Sequence, residues 1–243
     1  MQPVRRYLCL RNMLMQSISL VHACAALVID GIHSLAVTAT PHFFGLLTPM
    51  STQRSIRTVI LNGSLARPSK TRSLLDALHA QLHTQLHTQL PLETLLIDLV
   101  DLFEDIGTCL WREQLPERAM RALQAIETAD FLIVGAPVFR GSVPGLFKHL
   151  FDLLDTPAMA DKPVLLAATG GSQRHALVIE HQLRPLLSFF QTLTLPVGVY
   201  ASAEDFQDGR LHSAAGDARI ALAVQTTVPV LQALASAKEL MPV

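Results

Sequence analysis

Thr58-Val59-Ile60-Leu61-Asn62-Gly63-Ser64-Leu65-Ala66-Arg67-Pro68-Ser69-Lys70-Thr71-Arg72 is the stretch on which the fold turns. Thr58 to Asn62 reads as a short strand buried on both faces, and Gly63 follows it directly. Small hydroxyl residues then lead into a helical pattern, so the intervening loop is a strand-to-helix turn. Such a turn points unpaired backbone N–H groups and the positive end of the helix dipole at one spot. Ser64, Ser69 and Thr71 can donate hydroxyl hydrogen bonds there, and Arg67 can add charge. Taken alone, the turn is either an anion site or an ordinary helix start with Ser69 or Thr71 as its N-cap. It lacks the Gly-Lys-Ser/Thr ending of a triphosphate-binding loop, and it has Gly63 where a dinucleotide fingerprint has three glycines. A monophosphate fits better.

Downstream, short β-branched apolar runs alternate with helical patterns. Strands are expected at 58–62, 93–98, 131–135, 163–169 and 193–200, and helices at roughly 71–89, 117–128, 144–154, 175–190 and 212–235. Strict alternation predicts an α/β fold: a flavodoxin-like three-layer sandwich around a five-stranded parallel sheet of order 2-1-3-4-5. Ligands of such sheets sit beyond the carboxyl ends of the strands. Leu78, Leu82, Leu86 and Leu90 recur every four residues and form one apolar stripe on the first helix. His79, His83 and His87 share that spacing on an adjacent stripe. No third ligand type accompanies them, so a local QLHT duplication is the preferred reading and no metal is expected.

The chain has 243 residues, half of them apolar, and a formal net charge of -1. No Lys/Arg block is present, which argues against nucleic acid as a partner. Cys9, Cys24 and Cys109 are odd in number and widely spaced, a pattern of a reducing compartment rather than a disulfide framework. Cys109, beside Trp111, reads as a buried or half-buried thiol. Residues 1–49 differ from the rest: Arg5, Arg6 and Arg11 precede an apolar run broken by Gln16, Ser17, Ser19 and His22. That run is too polar for a membrane span and poor for a signal core. Residues 1–49 are expected to be an extension outside the functional chain, with Met50 as its start and 50–243 as one domain in the cytoplasm.

Two further loops narrow the ligand. Ala136-Pro137-Val138-Phe139-Arg140-Gly141-Ser142-Val143-Pro144 follows the third expected strand. Pro137 stiffens it, Val138 and Phe139 supply apolar edges, and Gly141 lets the backbone approach a flat ring. Ala168-Thr169-Gly170-Gly171-Ser172-Gln173 follows the fourth strand, and its glycines free N–H groups to face the pyrimidine edge of a flavin. Three such loops on one edge of one sheet point to flavin mononucleotide (FMN).

Residues 57–234 resemble a known family, the NAD(P)H-dependent FMN reductases. The resemblance runs through GSLARPSKT, APVFRGSVPGLFKHLFDLLD and KPVLLAATGGSQRHALVIEHQLRPLLSFFQTLTLPVGVYAS. Within the family it is strongest to the small reductases of alkanesulfonate two-component monooxygenase systems, of the methanesulfonate type. By resemblance, Ser64, Arg67, Ser69 and Thr71 take the FMN phosphate. Pro137, Val138, Phe139, Arg140 and Gly141 line the ring and ribityl chain, and Thr169, Gly170, Gly171 and Ser172 meet the pyrimidine edge. Phe139 stands where the family usually has Tyr, and Val143-Pro144 where some relatives carry an aromatic or polar residue.

The resemblance further implies NADH or NADPH as hydride donor, reduced FMN released to a flavin-dependent sulfonate monooxygenase, and a homodimer or homotetramer. Hydride transfer needs alignment more than an acid or base, so no catalytic side chain is assigned. The segment 175–190, with Leu177, Val178, Leu183, Leu186, Leu187, Phe189 and Phe190, is more apolar than one buried face requires and is the expected self-association surface. No membrane partner is expected. The competing readings are a quinone or azo reductase that retains its flavin and a flavodoxin-like electron carrier.

Overall fold

The computed structural model describes residues 55–240; the expectations for residues 1–49 and for Met50 lie outside the described residues. In chain order the elements are β1 (Ile56–Asn62), α1 (Lys70–Leu86), β2 (Leu92–Asp98), α2 (Leu99–Ile106), α3 (Glu117–Thr128), β3 (Phe131–Pro137), α4 (Gly145–Asp152) and β4 (Pro163–Gly170). They continue with α5 (Arg184–Phe189), β5 (Leu193–Thr194), β6 (Val199–Ser202), β7 (Phe206–Gln207), β8 (Arg210–Leu211) and α6 (Ala214–Leu240). The main sheet runs β2-β1-β3-β4-β5, all parallel, with β6 also paired to β4. This is the flavodoxin-like order the alternation predicted.

The period of two in each strand sorts side chains into two cores. Ile56, Ile60, Phe131, Ile133, Leu165 and Ala167 face α1 and α6, where Leu74, Leu78, Leu82, Leu86, Val224 and Leu231 meet them. Val59, Leu61, Leu132, Val134 and Leu166 face the opposite way, onto Leu123, Ile126, Phe147, Phe151 and Leu187. The leucine stripe of α1 is therefore buried as its spacing demanded. On its flank, His79 Nε2 lies 2.9 Å from Thr94 Oγ1, and the His83 and His87 rings stack at 6.1 Å. By length and composition α6 could cross a bilayer, yet Ile220, Ala223, Val224 and Leu231 on it are buried in the core shared with α1.

Three local departures from expectation have identifiable causes. The fifth strand is two pieces: Leu193–Thr194 pairs with Pro163–Val164, and Val199–Ser202 with Ala167–Gly170. Pro196 lies between them and has no N–H for the ladder, so the run cannot stay one strand. The expected helix at 175–190 is a 3₁₀ turn (Gln173–His175), a π-turn (Ile179–Leu183) and then α5, which opens with Pro185 in its first turn. Pro185 cannot donate to a carbonyl four residues back, and it is at this point that the continuous helical backbone changes from π to α spacing. Helix α2 was not anticipated, although Leu99, Leu102 and Ile106 are its buried face at helical spacing.

Lys162 lies buried at the start of β4, and its ammonium donates to Ile126 O at 2.6 Å and Glu127 O at 2.8 Å. These are last-turn carbonyls of α3, which have no donors inside the helix. Burial pulls the Lys162 ammonium down to about 8, against the attraction of Asp130 and Glu127. Between pH 8 and the ordinary lysine value of 10.5, the unfolded chain therefore binds more protons than the folded one, and stability from this group rises with pH. Urea midpoints of wild type and Lys162→Met are expected to diverge in favour of wild type from pH 8 to pH 9.5; a constant difference across that window refutes the assignment.

Candidate functional site

The three loops beyond β1, β3 and β4 are tied to one another by short contacts. Gly63 N–H donates to Gly135 O at 2.7 Å, joining the ends of β1 and β3, and Val138 N–H donates to Thr169 O at 2.6 Å, joining β3 and β4. The buried hydroxyls of Thr71 and Thr169 lie 2.7 Å apart, linking the first turn of α1 to the end of β4. Residues drawn from positions 64 to 172 thus share one edge of the sheet. Gly63 is needed for space: a Cβ there would overlap the ring of Phe147 and reach Gly135 O at 3.0 Å.

In the first loop, Ser69 is the N-cap of α1, its hydroxyl accepting from Arg72 N–H at 3.1 Å. Ser64 is buried, and its hydroxyl accepts from Ala66 N–H at 3.2 Å. Both hydroxyls therefore keep a proton to donate. The N–H groups of Lys70 and Thr71 lie in the first turn of α1, where the helix supplies no acceptor. The loop is braced from below by Asn62, whose Oδ1 accepts from Ser64 N–H at 3.2 Å and whose Nδ2 donates to Asp98 Oδ1 at 2.7 Å. Asp98 also receives Arg72 Nη1 at 2.9 Å. Arg67 is not directed freely at the turn. Its Nη2 donates to both carboxylate oxygens of Asp101, at 2.6 and 2.5 Å, and stands 3.6 Å from Asp98 Oδ2.

A cavity of about 610 Å³ opens beside this loop, between the start of α1 and the β7–β8 hairpin. Arg67, Ser69, Arg72, Asp98 and Arg210 are among its lining, so of the expected residues Arg67 and Ser69 face it. Ser64 and Thr71, and the expected residues of the second and third loops, lie outside its lining.

The second loop folds back as a two-residue hairpin: Phe139 N–H donates to Ser142 O at 2.7 Å and Ser142 N–H returns to Phe139 O at 3.2 Å. Arg140 and Gly141 occupy its tip with φ of 53° and 85°, the positive pair a type I′ turn requires. Phe139 is exposed beside it, free to lie against a ring. Ser142 Oγ donates to Gln182 Oε1 at 2.9 Å and anchors the hairpin to the π-turn.

The third loop is supported from behind by residues that no motif singled out. Tyr200 OH donates to Ser172 O at 2.6 Å, and its ring passes so close to Gly170 that a Cβ there would meet the phenol oxygen. Gln173 Nε2 donates to Ser202 Oγ at 3.2 Å, and Ser202 Oγ donates to Asp205 Oδ2 at 2.9 Å. Burial alone would raise the Asp205 carboxyl, but donation from Ser213 and from the Ser202 N–H and hydroxyl holds it below the usual range. The Tyr200 phenol is raised, chiefly by burial and then by the Asp205 charge. A Cβ at Gly171 would meet nothing within 4 Å, so the tip of this loop stands open.

A helix start with spare hydroxyl protons and unpaired N–H groups suits a dianionic monophosphate, and a glycine-tipped loop beside an exposed aromatic suits a flat heterocycle. A doubly wound parallel sheet with such loops at its carboxyl edge defines the flavodoxin-like class of nucleotide-binding domains. Residues 56–207 match the family profile described as NADPH-dependent FMN reductase. An NADH-dependent FMN reductase, SfnF, of Pseudomonas fluorescens strain Pf0-1 is 54% identical over 177 residues, covering 73% of this chain and 92% of the relative. An NADPH-type FMN reductase of Pseudomonas aeruginosa strain PAO1 is 50% identical over 174 residues, covering 72% and 91%. Among solved structures, an oxidoreductase from Corynebacterium diphtheriae superposes with a TM-score of 0.64 at 33% identity, covering 75% of this chain and 96% of that one. The chain belongs to the NADPH-dependent FMN reductase family. It is an oxidoreductase of FMN and reduced nicotinamide nucleotide.

Proposed function

We propose that this cytoplasmic enzyme takes hydride from NADH or NADPH onto FMN and releases the reduced flavin to a flavin-dependent alkanesulfonate or methanesulfonate monooxygenase. The observation that carries the binding site is the Thr71–Thr169 hydroxyl pair at 2.7 Å, which unites the anion-binding turn with the glycine loop of β4. Ser64, Arg67, Ser69 and Thr71 bind the phosphate. Pro137, Val138, Phe139, Arg140 and Gly141 flank the ring and ribityl chain. Thr169, Gly170, Gly171 and Ser172 present N–H and hydroxyl donors to the pyrimidine edge. When bound, the isoalloxazine supplies the hydride-accepting centre, and the loops fix its orientation and shield one face. The sulfonate partner rests on the resemblance of the two long sequence blocks, 136–155 and 162–202, with the shorter GSLARPSKT beside them.

Self-association uses the segment 175–190. Leu177 and Phe189 are 61% and 70% exposed although Val178, Leu187 and Phe190 beside them are buried, and a cavity of about 490 Å³ lined by Phe151, Leu186, Phe189 and Phe190 opens there. This apolar face supports a homodimer or homotetramer. One experiment reads both proposals: gel filtration with light scattering on protein loaded with FMN, followed by NADH and NADPH oxidation with and without added FMN. The expected result is an oligomer that loses flavin on the column and oxidises nucleotide only when FMN is returned. A monomer overturns the interface, and a retained flavin with fast quinone turnover overturns the delivery role.

A further inference from the structure

The first loop carries an arginine at the position where a phosphate would want it, yet that arginine already has a counter-ion. Arg67 Nη2 donates to both oxygens of Asp101, at 2.6 and 2.5 Å, and both side chains are about half exposed (59% and 51%). Asp101 lies in the first turn of α2, the helix that follows β2 without a linker, and so is fixed beside the loop by the sheet itself. The neighbouring carboxylate, Asp98, pairs with Arg67 more loosely, at 3.6 Å, while it also receives Asn62 and Arg72.

We infer that Asp101 is an internal competitor for the flavin phosphate, drawing the Arg67 guanidinium into a carboxylate pair that bound FMN must share or displace. The inference rests on the reading of the first loop as the phosphate site. A phosphate and a carboxylate are both partners for a guanidinium fork, and Asp101 takes Nη2, so a phosphate must either displace it or accept from the remaining N–H donors of a guanidinium whose charge Asp101 already offsets. Binding therefore works against the Arg67–Asp101 pair, and release restores that pair in full. This lowers affinity without disturbing the loop geometry, which suits a flavin that is passed on rather than kept. Asp101 acts through Arg67 and is a positioning residue.

The test predicts a gain, which damage to the fold does not produce. Asp101→Asn keeps shape but removes the charge, and FMN binding to the full chain, followed by quenching of flavin fluorescence, is expected to tighten about fivefold. Its dissociation in stopped flow is expected to slow by a similar factor. Riboflavin, which lacks the phosphate, is expected to bind Asp101→Asn and wild type alike. In an Arg67→Ala background, where FMN itself binds more weakly, Asp101→Asn is expected to have no further effect. Unchanged or weaker FMN binding by Asp101→Asn overturns the inference, as does equal tightening of riboflavin or tightening that persists without Arg67. An Arg67→Ala variant that binds FMN like wild type overturns the phosphate role of Arg67 itself, and is thereby told apart from failure of the competitor alone.

Discussion

Gly63→Ala is expected to lower the unfolding free energy by about 1–3 kcal/mol, the range for an extra methyl forced into a packed core. The new Cβ falls on the ring of Phe147, which is fully buried on α4 and packed against Phe151 with ring centroids 5.0 Å apart. Backing away is blocked on the other side by Gly135 O at 3.0 Å, the carbonyl to which Gly63 N–H is bonded. The loop must therefore shift, and FMN affinity falls with it because Ser64 is the next residue. Phe147→Leu removes the obstructing ring edge. The double variant Gly63→Ala/Phe147→Leu should be more stable than the sum of the two single losses predicts, by about 1 kcal/mol in a double-mutant cycle on urea unfolding. Strict additivity would show that the ring is not what excludes a side chain at this position.

The parts of this protein that were legible in its sequence are those whose physics is local. β1, β3 and β4 are buried on both faces, so their apolar runs announce them, and the hydroxyl loop is read from spacing within nine residues, from Gly63 to Thr71. Pro185, where helical spacing changes, and Pro196, where the strand breaks, were visible as prolines, but hydrophobic periodicity ran through both and outweighed them. α2 was hidden because it is only eight residues long and begins at the residue after β2, leaving no turn to mark it. The braces of the site were not legible for a different reason. Asp101 reaches Arg67 across 34 residues, Asp98 reaches Asn62 across 36, and Tyr200 reaches Ser172 across 28. Each of these side chains is unremarkable in sequence and acquires its role only when the parallel sheet sets the strand ends side by side. That is why the loops themselves were legible in the sequence and the groups that hold or oppose their side chains were not.

Ser69→Asp is expected to weaken FMN binding about 100-fold while leaving the protein as stable as wild type or slightly more so. The N-cap and the proposed phosphate contact meet in Ser69, and this substitution separates them. As N-cap, the residue has extended backbone (φ -122°, ψ 119°) and accepts from Arg72 N–H at 3.1 Å. Aspartate caps as well as serine, and its charge is favourable beside the amino end of a helix, so α1 should persist. As a ligand contact, however, the aspartate has no proton to donate and places a negative charge against the phosphate. At about 4 Å, with the screening typical of a protein surface, like charges repel by about 4 kcal/mol, enough to account for the loss with some relaxation to spare. Riboflavin should bind the variant within about threefold of wild type. Ser69→Ala gives the complementary pattern: a stability loss of about 1 kcal/mol from the missing cap together with a smaller loss of FMN affinity, because a donor is removed without adding charge. If Ser69→Asp binds FMN normally, or loses riboflavin to the same degree as FMN, the phosphate does not sit at the start of α1. The hydroxyls there would then serve only to begin a helix.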